Sequence, residues 1–339
     1  MGKQSLFLTF LMVVFVFWGV GSVNGGSLNP TSAPSSDGTM KTLSEVEPRI
    51  AINSQNTPGD ADYEYIIDSA GSYYLTGNVV TIKSGIKIES SNVMVDLCGY
   101  KLAHTGTASA TGVRIIDCND FEIRDGAIVN FYAGVYNSNF DNYNNRIVSV
   151  SVTNNKGYGI LLRGKSNVVK NCEIRGNGNE GFYSAACGVQ TGDNSIVLSN
   201  TICDNGHGCP YYVYGIKAGE SSIVSDNIIS NNGHNALNYV YGIYASEACV
   251  VSGNVCRDNG KDAIGSGERL YGIYARSCSV VKNNSVLSTG TDAEGFAYGI
   301  LTSSNCVVSN NTAYLNKSNN IILGSGSVDD NNCAPALTE

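Results

Sequence analysis

Three carboxylates stand at one place in a repeating pattern. Asp193, Glu220 and Glu247 each follow an apolar residue (Val189, Ile216, Ile243) by four positions. Stacked at the spacing of neighbouring strands, about 5 Å, such acids repel one another unless solvent or a cation lies between them. Lys217 and Arg276 fall nearby in the same pattern, with Tyr244 and Tyr274 at equivalent outward positions. Acids with basic and aromatic neighbours suit a calcium site, with Asp193, Glu220 and Glu247 as ligands, or a sugar-binding face. The matching chemistry is proton abstraction beside a uronic-acid carboxylate, assisted by calcium or an arginine clamp. Two acids about 5 Å apart also suit retaining glycoside hydrolysis. The plainer alternative is a solvated turn column that carries acids and no site.

A second group contains His207 and His234, in the phrases Asn205-Gly206-His207 and Asn232-Gly233-His234. With Tyr211, Tyr212, Tyr239 and the insertion from Lys261 to Arg269, they are expected to form a ridge beside a groove. Paired imidazoles can exchange protons near neutral pH. Tandem duplication alone would also produce such a pair.

Positioning either group requires a scaffold that brings equivalent residues together. Tyr158-Gly159-Ile160 returns as Cys187-Gly188-Val189, Tyr214-Gly215-Ile216, Tyr241-Gly242-Ile243, Tyr271-Gly272-Ile273 and Tyr298-Gly299-Ile300, in steps of 29, 27, 27, 30 and 27 residues. Asn171, Asn200, Asn227, Asn254, Asn284 and Asn311 follow about a dozen residues after each phrase. A period of this size denotes stacked units, none able to bury its apolar face alone. Apolar residues alternate over short runs closed by Gly, Asn or Ser, which is the period of strands and not of helices. Asn-Gly pairs supply positive φ at corners. Parallel strands joined by same-sense crossovers are almost always right-handed. The expected fold is all-β, a right-handed parallel β-helix of about nine to ten coils. The Asn column is expected to be a structural amide ladder, the Tyr column a stack at a coil corner, and the Gly a response to crowding there.

The repeat units resemble those of the pectin-lyase-like superfamily. Gly71-Ser72-Tyr73-Tyr74-Leu75-Thr76-Gly77-Asn78, followed by Val95-Asp96-Leu97-Cys98-Gly99-Tyr100, resembles the opening of secreted NosD-like β-helix proteins. The resemblance covers roughly residues 60 to 332 and implies the fold. It implies no single activity, because that superfamily spans lyases, hydrolases, esterases, epimerases and adhesins. Gly206-His207-Gly208 resembles the Gly-His-Gly of polygalacturonases, but the accompanying Asn-Thr-Asp, Asp-Asp and Arg-Ile-Lys motifs are absent.

Residues 1–25, with Lys3, an apolar run from Leu6 to Val20 and small residues at the end, match a secretory signal peptide; cleavage is favoured over the rival reading of an uncleaved anchor, because small residues end the run and no basic stop-transfer cluster follows. Residues 26–45 match a flexible linker, 46–78 an N-terminal cap with the first strand, 79–332 the β-helix and 333–339 a polar tail. The expectation is a secreted or surface protein with no transmembrane anchor once the signal is removed. A formal net charge of −8 disfavours a nucleic-acid partner, whose phosphates would be repelled. Eleven cysteines leave at least one unpaired. Cys203 with Cys209 is the best candidate disulfide, and Cys249 and Cys306 are expected to stack inward as small apolar residues. The sequence therefore points to a protein that binds or modifies extracellular polysaccharide or a cell-surface glycan. Its alternative is a non-catalytic matrix or adhesin-like protein, and catalysis itself stays open.

Overall fold

In the repeat, Ile, Val and Tyr alternate with polar residues over three to seven positions, too short for helices and suited to strands that bury one face. The computed structural model describes residues 48–107, 109–179, 185–264 and 269–335. The signal-peptide and linker readings, and most of the tail, lie outside those residues. From Arg49 onward the described chain is one parallel solenoid. In the regular coils the longer strands stack in a sheet of eleven and the shorter ones in a sheet of twenty, which also holds the eight-residue strands Glu122–Val129 and Arg146–Thr153. Eleven stacked strands make ten coil-to-coil steps, in line with the expected count.

One coil shows the plan. Tyr212–Ala218 belongs to the eleven-stranded sheet, and Ile223–Ser225 and Ile228–Ser230 to the other. The next coil begins at Val240–Ala245, with Tyr214 opposite Tyr241, Ile216 opposite Ile243 and Lys217 opposite Tyr244. Ile216, Val224 and Ile229 point inward and are fully buried. Each such side chain contributes about 1.5–3 kcal/mol of hydrophobic stabilisation.

Corners are held by amides. Asn155, Asn177, Asn205, Asn232 and Asn259 form one ladder, each side chain donating to the carboxamide oxygen of the next. A second runs from Asn200 through Asn227, Asn254, Asn284 and Asn311 to Asn332. Its first position is Cys172 and not Asn171, since the Cys172 amide donates to Asn200. The reason is a turn after Leu162 that is one residue longer than its successors: Leu162 pairs with Thr191, but Val168 with Ile196.

Two other expectations change. The tyrosine column sits in mid-strand on the outer face of the eleven-stranded sheet, not at a corner. The glycine beside it is crowded as expected: a Cβ on Gly215 would lie 2.6 Å from the Gly242 carbonyl oxygen and 2.7 Å from Ile229. Ile50–Ile52, Tyr63–Ile67 and Gly71–Leu75, in the span read as cap and first strand, pair in register with later strands. Cys203 and Cys209 are both free thiols. Cys203 ends the strand Thr201–Cys203 half-buried, whereas Cys209 packs against Ala186, Val213 and Ala236 under the next turn, so the two sulfurs occupy different environments. Cys249 and Cys306 do point inward, each about 1% exposed.

Candidate functional site

The turns that follow the longer strands carry the acids. Backbone bonds stack them: Asn194 N donates to Glu220 O, Ser221 N to Glu247 O and Ala248 N to Ser277 O. Asp193, Glu220 and Glu247 therefore form the column that the spacing implied. On the preceding coil Ser166 N donates to Asp193 O. This puts Lys165, and not Gly164, in register with Asp193, again because of the longer turn.

The acids do different things. Asp193 Oδ1 accepts the Glu220 amide at 2.9 Å, which ties one turn to the next. Glu247 Oε1 lies 2.8 Å from Arg276 Nη2, with both side chains 45% exposed. Glu220 is exposed. Among the described residues no group of three or more His, Cys, Asp or Glu side chains is placed to hold a metal ion.

Beside this column lies a groove of about 470 Å³, lined by Phe140, Arg163, Lys165, Gln190, Asp193 and Lys217 among others. Of the five residues expected to do chemistry, the groove gathers Asp193 and Lys217. Glu220, Glu247 and Arg276 lie on later turns and do not line it. Gly192 and Gly219 lower its floor. A Cβ on Gly192 would sit 2.2 Å from Arg163 O, and one on Gly219 2.4 Å from the Gly192 carbonyl carbon. The Arg163 guanidinium lies 5.4 Å from the centre of the Phe140 ring, and its Nε is buried without a hydrogen-bond partner. Lys217 Nζ lies 5.0 Å from the Tyr214 ring centre. Among the described residues, Arg163, Lys165 and Lys217 form no ion pair.

Outward residues of the eleven-stranded sheet continue from this groove as an aromatic slab. Lys217 is followed in its column by Tyr244 and Tyr274, whose ring centres are 5.5 Å apart. Burial pushes the Tyr244 hydroxyl above its ordinary pKa, opposed by nearby Arg276. In the next column Tyr214, Tyr241 and Tyr271 stack at 5.0 Å intervals, and burial raises all three hydroxyls. Tyr212 stacks on Tyr239 at 5.4 Å, and Tyr211 is exposed beside them.

His207 and His234 sit on the turns that precede these strands, with ring centres 5.2 Å apart. They line a separate depression of about 360 Å³ with Asn179, Asp204, Asn231 and Lys261. Tyr211, Tyr212 and Tyr239 do not line it, so the expected ridge divides into a histidine turn and an aromatic face. Of the insertion, residues 265–268 lie outside the described set.

Sequence reasoning missed Arg163, Lys165, Gln190 and Phe140. The signal present was Arg163-Gly164-Lys165, a basic pair in an acidic chain, lying where the repeat gains one residue.

Residues 66–242 match the family described as the right-handed β-helix region. No curated protein matches the sequence. Among solved structures, the Dettilon tailspike protein gp208 is similar at 14% identity and TM-score 0.47, over 79% of this chain and 58% of the tailspike. This chain thus spans less than two thirds of the tailspike's length. The A-module of mannuronan C-5 epimerase AlgE6 from Azotobacter vinelandii is similar at 13% identity and TM-score 0.37, over 85% of this chain and 89% of the module. The AlgE4 A-module from the same organism gives 12% and 0.35, over 79% and 91%. Likeness at this level says nothing of activity.

Proposed function

We propose, from the premise that the chain belongs to the right-handed β-helix family, that it binds an acidic extracellular or cell-surface polysaccharide. The polymer would lie against the outer face of the eleven-stranded sheet, with its anionic groups in the Arg163, Lys165 and Lys217 groove. One observation carries this reading. Three cations that form no ion pair among the described residues converge on one groove in a chain of formal net charge −8. Unpaired basic side chains are commonly neutralised by acids on the same protein, and where they are not, a ligand anion is the natural partner. Arg163 suits a planar carboxylate, which its guanidinium can hold through two parallel hydrogen bonds.

The neutral part of the ligand fits the same surface. Phe140, Tyr244 and Tyr274 offer ring faces to the C–H face of a pyranose, and Gln190 offers an amide to its hydroxyls. The acidic balance elsewhere repels any polyanion, nucleic acid and acidic polysaccharide alike, so the polymer would be held through the local basic patch of the groove or through calcium. Secretion belongs to this proposal, since the polymer lies outside the cell.

Asp193 is the candidate base. It stands among the groove's cations, where it could take the proton beside a uronate carboxylate while Arg163 or Lys217 holds the developing charge. Glu220, Glu247 and Arg276 extend the same column and would contact polymer beyond the groove. Calcium would add a bridge between polymer carboxylates and these acids.

The test is calorimetric titration of the full chain with uronic-acid, sulfated and neutral oligosaccharides, with and without calcium, alongside an assay for chain length and unsaturated products. Binding confined to acidic oligosaccharides, weakened at least tenfold by Arg163→Ala with Lys217→Ala, is the expected result. Equal binding of neutral sugars, or no loss in that variant, would sink it. Products that vanish in Asp193→Asn would add catalysis; intact polymer under saturating binding would leave a binding protein.

A further inference from the structure

The two histidines at the other end of the same strands remain unused by this reading. Two of the chain's three histidines stand one coil apart, and the third, His104, is buried beside the Ile82 carbonyl. Backbone bonds fix their register: Gly208 N donates to His234 O, and Asn235 N to Lys261 O. His207, His234 and Lys261 therefore form a column of three basic side chains on successive turns, and all three line the depression of about 360 Å³.

We propose that this depression is a second anion site, which takes up a sulfate, phosphate or carboxylate group when His207 and His234 are protonated. Its charge balance supports the dependence on protons. Arg175 and Lys261 are matched by Asp204, which pairs with Arg175 at 3.0 Å, and by Asp262, 3.4 Å from His234 Nδ1. On the next coil Arg257 and Asp258 adjoin Asn231 in the strand register and add one charge of each sign. Among the described residues the surroundings are thus balanced when both imidazoles are neutral, and carry two extra positive charges when both are protonated.

Donors are already in place. His207 N donates to the Asn179 side-chain oxygen, and the carboxamides of Asn179 and Asn231 both line the depression. His234 Nδ1 is 3.2 Å from Lys261 O, which orients the ring with its other nitrogen directed away from that carbonyl. Two imidazolium rings with centres 5.2 Å apart repel, and an anion between them removes that cost. Histidine changes charge between about pH 5 and 8, so anion uptake and protonation favour each other in that interval.

The experiment uses imidazole NMR signals of the full chain, which has three histidines to resolve. Sodium sulfate is titrated at pH 5.5 and at pH 8, against sodium chloride of equal ionic strength. Saturable shifts of the His207 and His234 signals with His104 unmoved, at least tenfold weaker at pH 8, are expected. Both histidine midpoints should also rise when sulfate is present. Arg163→Ala with Lys217→Ala should leave the imidazole shifts intact, separating this site from the groove. In that groove-deficient background, His207→Gln with His234→Gln should abolish the remaining sulfate binding measured by calorimetry. A response equal to that of chloride, or equal at the two pH values, would overturn the proposal. A short sulfated oligosaccharide tighter than sulfate would name a polymer as the source of the anion, and equal affinity a free anion; either outcome supports the site.

Discussion

An asparagine ladder and an acidic column both run along this solenoid, and they differ in kind. In the asparagine ladder, Asn205, Asn232 and Asn259 are completely buried and pass a hydrogen bond from each coil to the next. In the acidic column, Asp193, Glu220 and Glu247 occupy equivalent turns, but one accepts a backbone amide, one is exposed and one meets an arginine. The first column repeats because every coil needs the same buried bonds satisfied. The second repeats because the turn does, and water satisfies whatever residue stands there. The groove arises where repetition fails, at the lengthened turn carrying Arg163 and Lys165. Regularity marks what the fold needs, and the groove proposed to take a ligand lies at the departure from it.

The largest expected effect tests the first half of that contrast. Asn232→Ala removes the acceptor used by the Asn205 backbone and side-chain amides, and the donor to Ile202 O and Asn259 Oδ1. Asn205 Nδ2 keeps Ile174 O and Asn259 Oδ1 keeps the backbone amide of residue 232, so the Asn205 amide and the Ile202 carbonyl are left short; at about 1–3 kcal/mol each, the expected loss is about 2–6 kcal/mol in denaturant unfolding. Glu220→Ala, in the acidic column, should change stability by less than about 0.5 kcal/mol. Comparable losses in both variants would erase the distinction.

A buried acid sharpens the comparison through pH. Asp96 is 7% exposed. Burial works to raise its pKa, but the Cys98 amide and the Arg124 guanidinium outweigh that and hold it below the usual carboxylate range. Arg49 lies on the same carboxylate oxygen at 3.2 Å. Because its folded pKa is the lower one, Asp96 contributes stability fully above the unfolded value, and that contribution fades as pH falls through the folded one. Unfolding curves of the wild type and Asp96→Asn should therefore differ at pH 7 and converge in acid. A constant gap down to pH 2 would refute the assignment.

How much of this was legible follows from the same physics. The β-helix was readable because strands of period two and corners of Asn and Gly recur in every coil. The acidic column was readable for the same reason. Arg163, Lys165 and Phe140 were not, because reading by columns assumes constant turn length, and one extra residue moved Lys165 into register beside Asp193. The tyrosines were placed at a corner because repetition gives the position of a residue along the chain but not the face it occupies. The third prediction rests on that misread turn. Arg163→Ala should weaken acidic oligosaccharide binding about tenfold, or 1.4 kcal/mol, and make it less sensitive to salt. It should leave the unfolding midpoint within error of the wild type. A stability loss without a binding loss would return Arg163 to the scaffold.

The smallest effect lies in the acidic column itself, at Glu247 and Arg276. Their 2.8 Å contact is the shortest-range electrostatic feature of the column, yet both side chains are 45% exposed. Exposed pairs are screened by water and salt and must hold two long side chains still, so their net worth is about 0–1 kcal/mol. A double-mutant cycle with Glu247→Gln and Arg276→Gln should return a coupling of about 0.5 kcal/mol that shrinks at high salt. A coupling above about 2 kcal/mol would mean that the pair is held as rigidly as the buried ladder. The acidic column would then be a structural ladder in its own right, and the contrast between the two columns would fall with it.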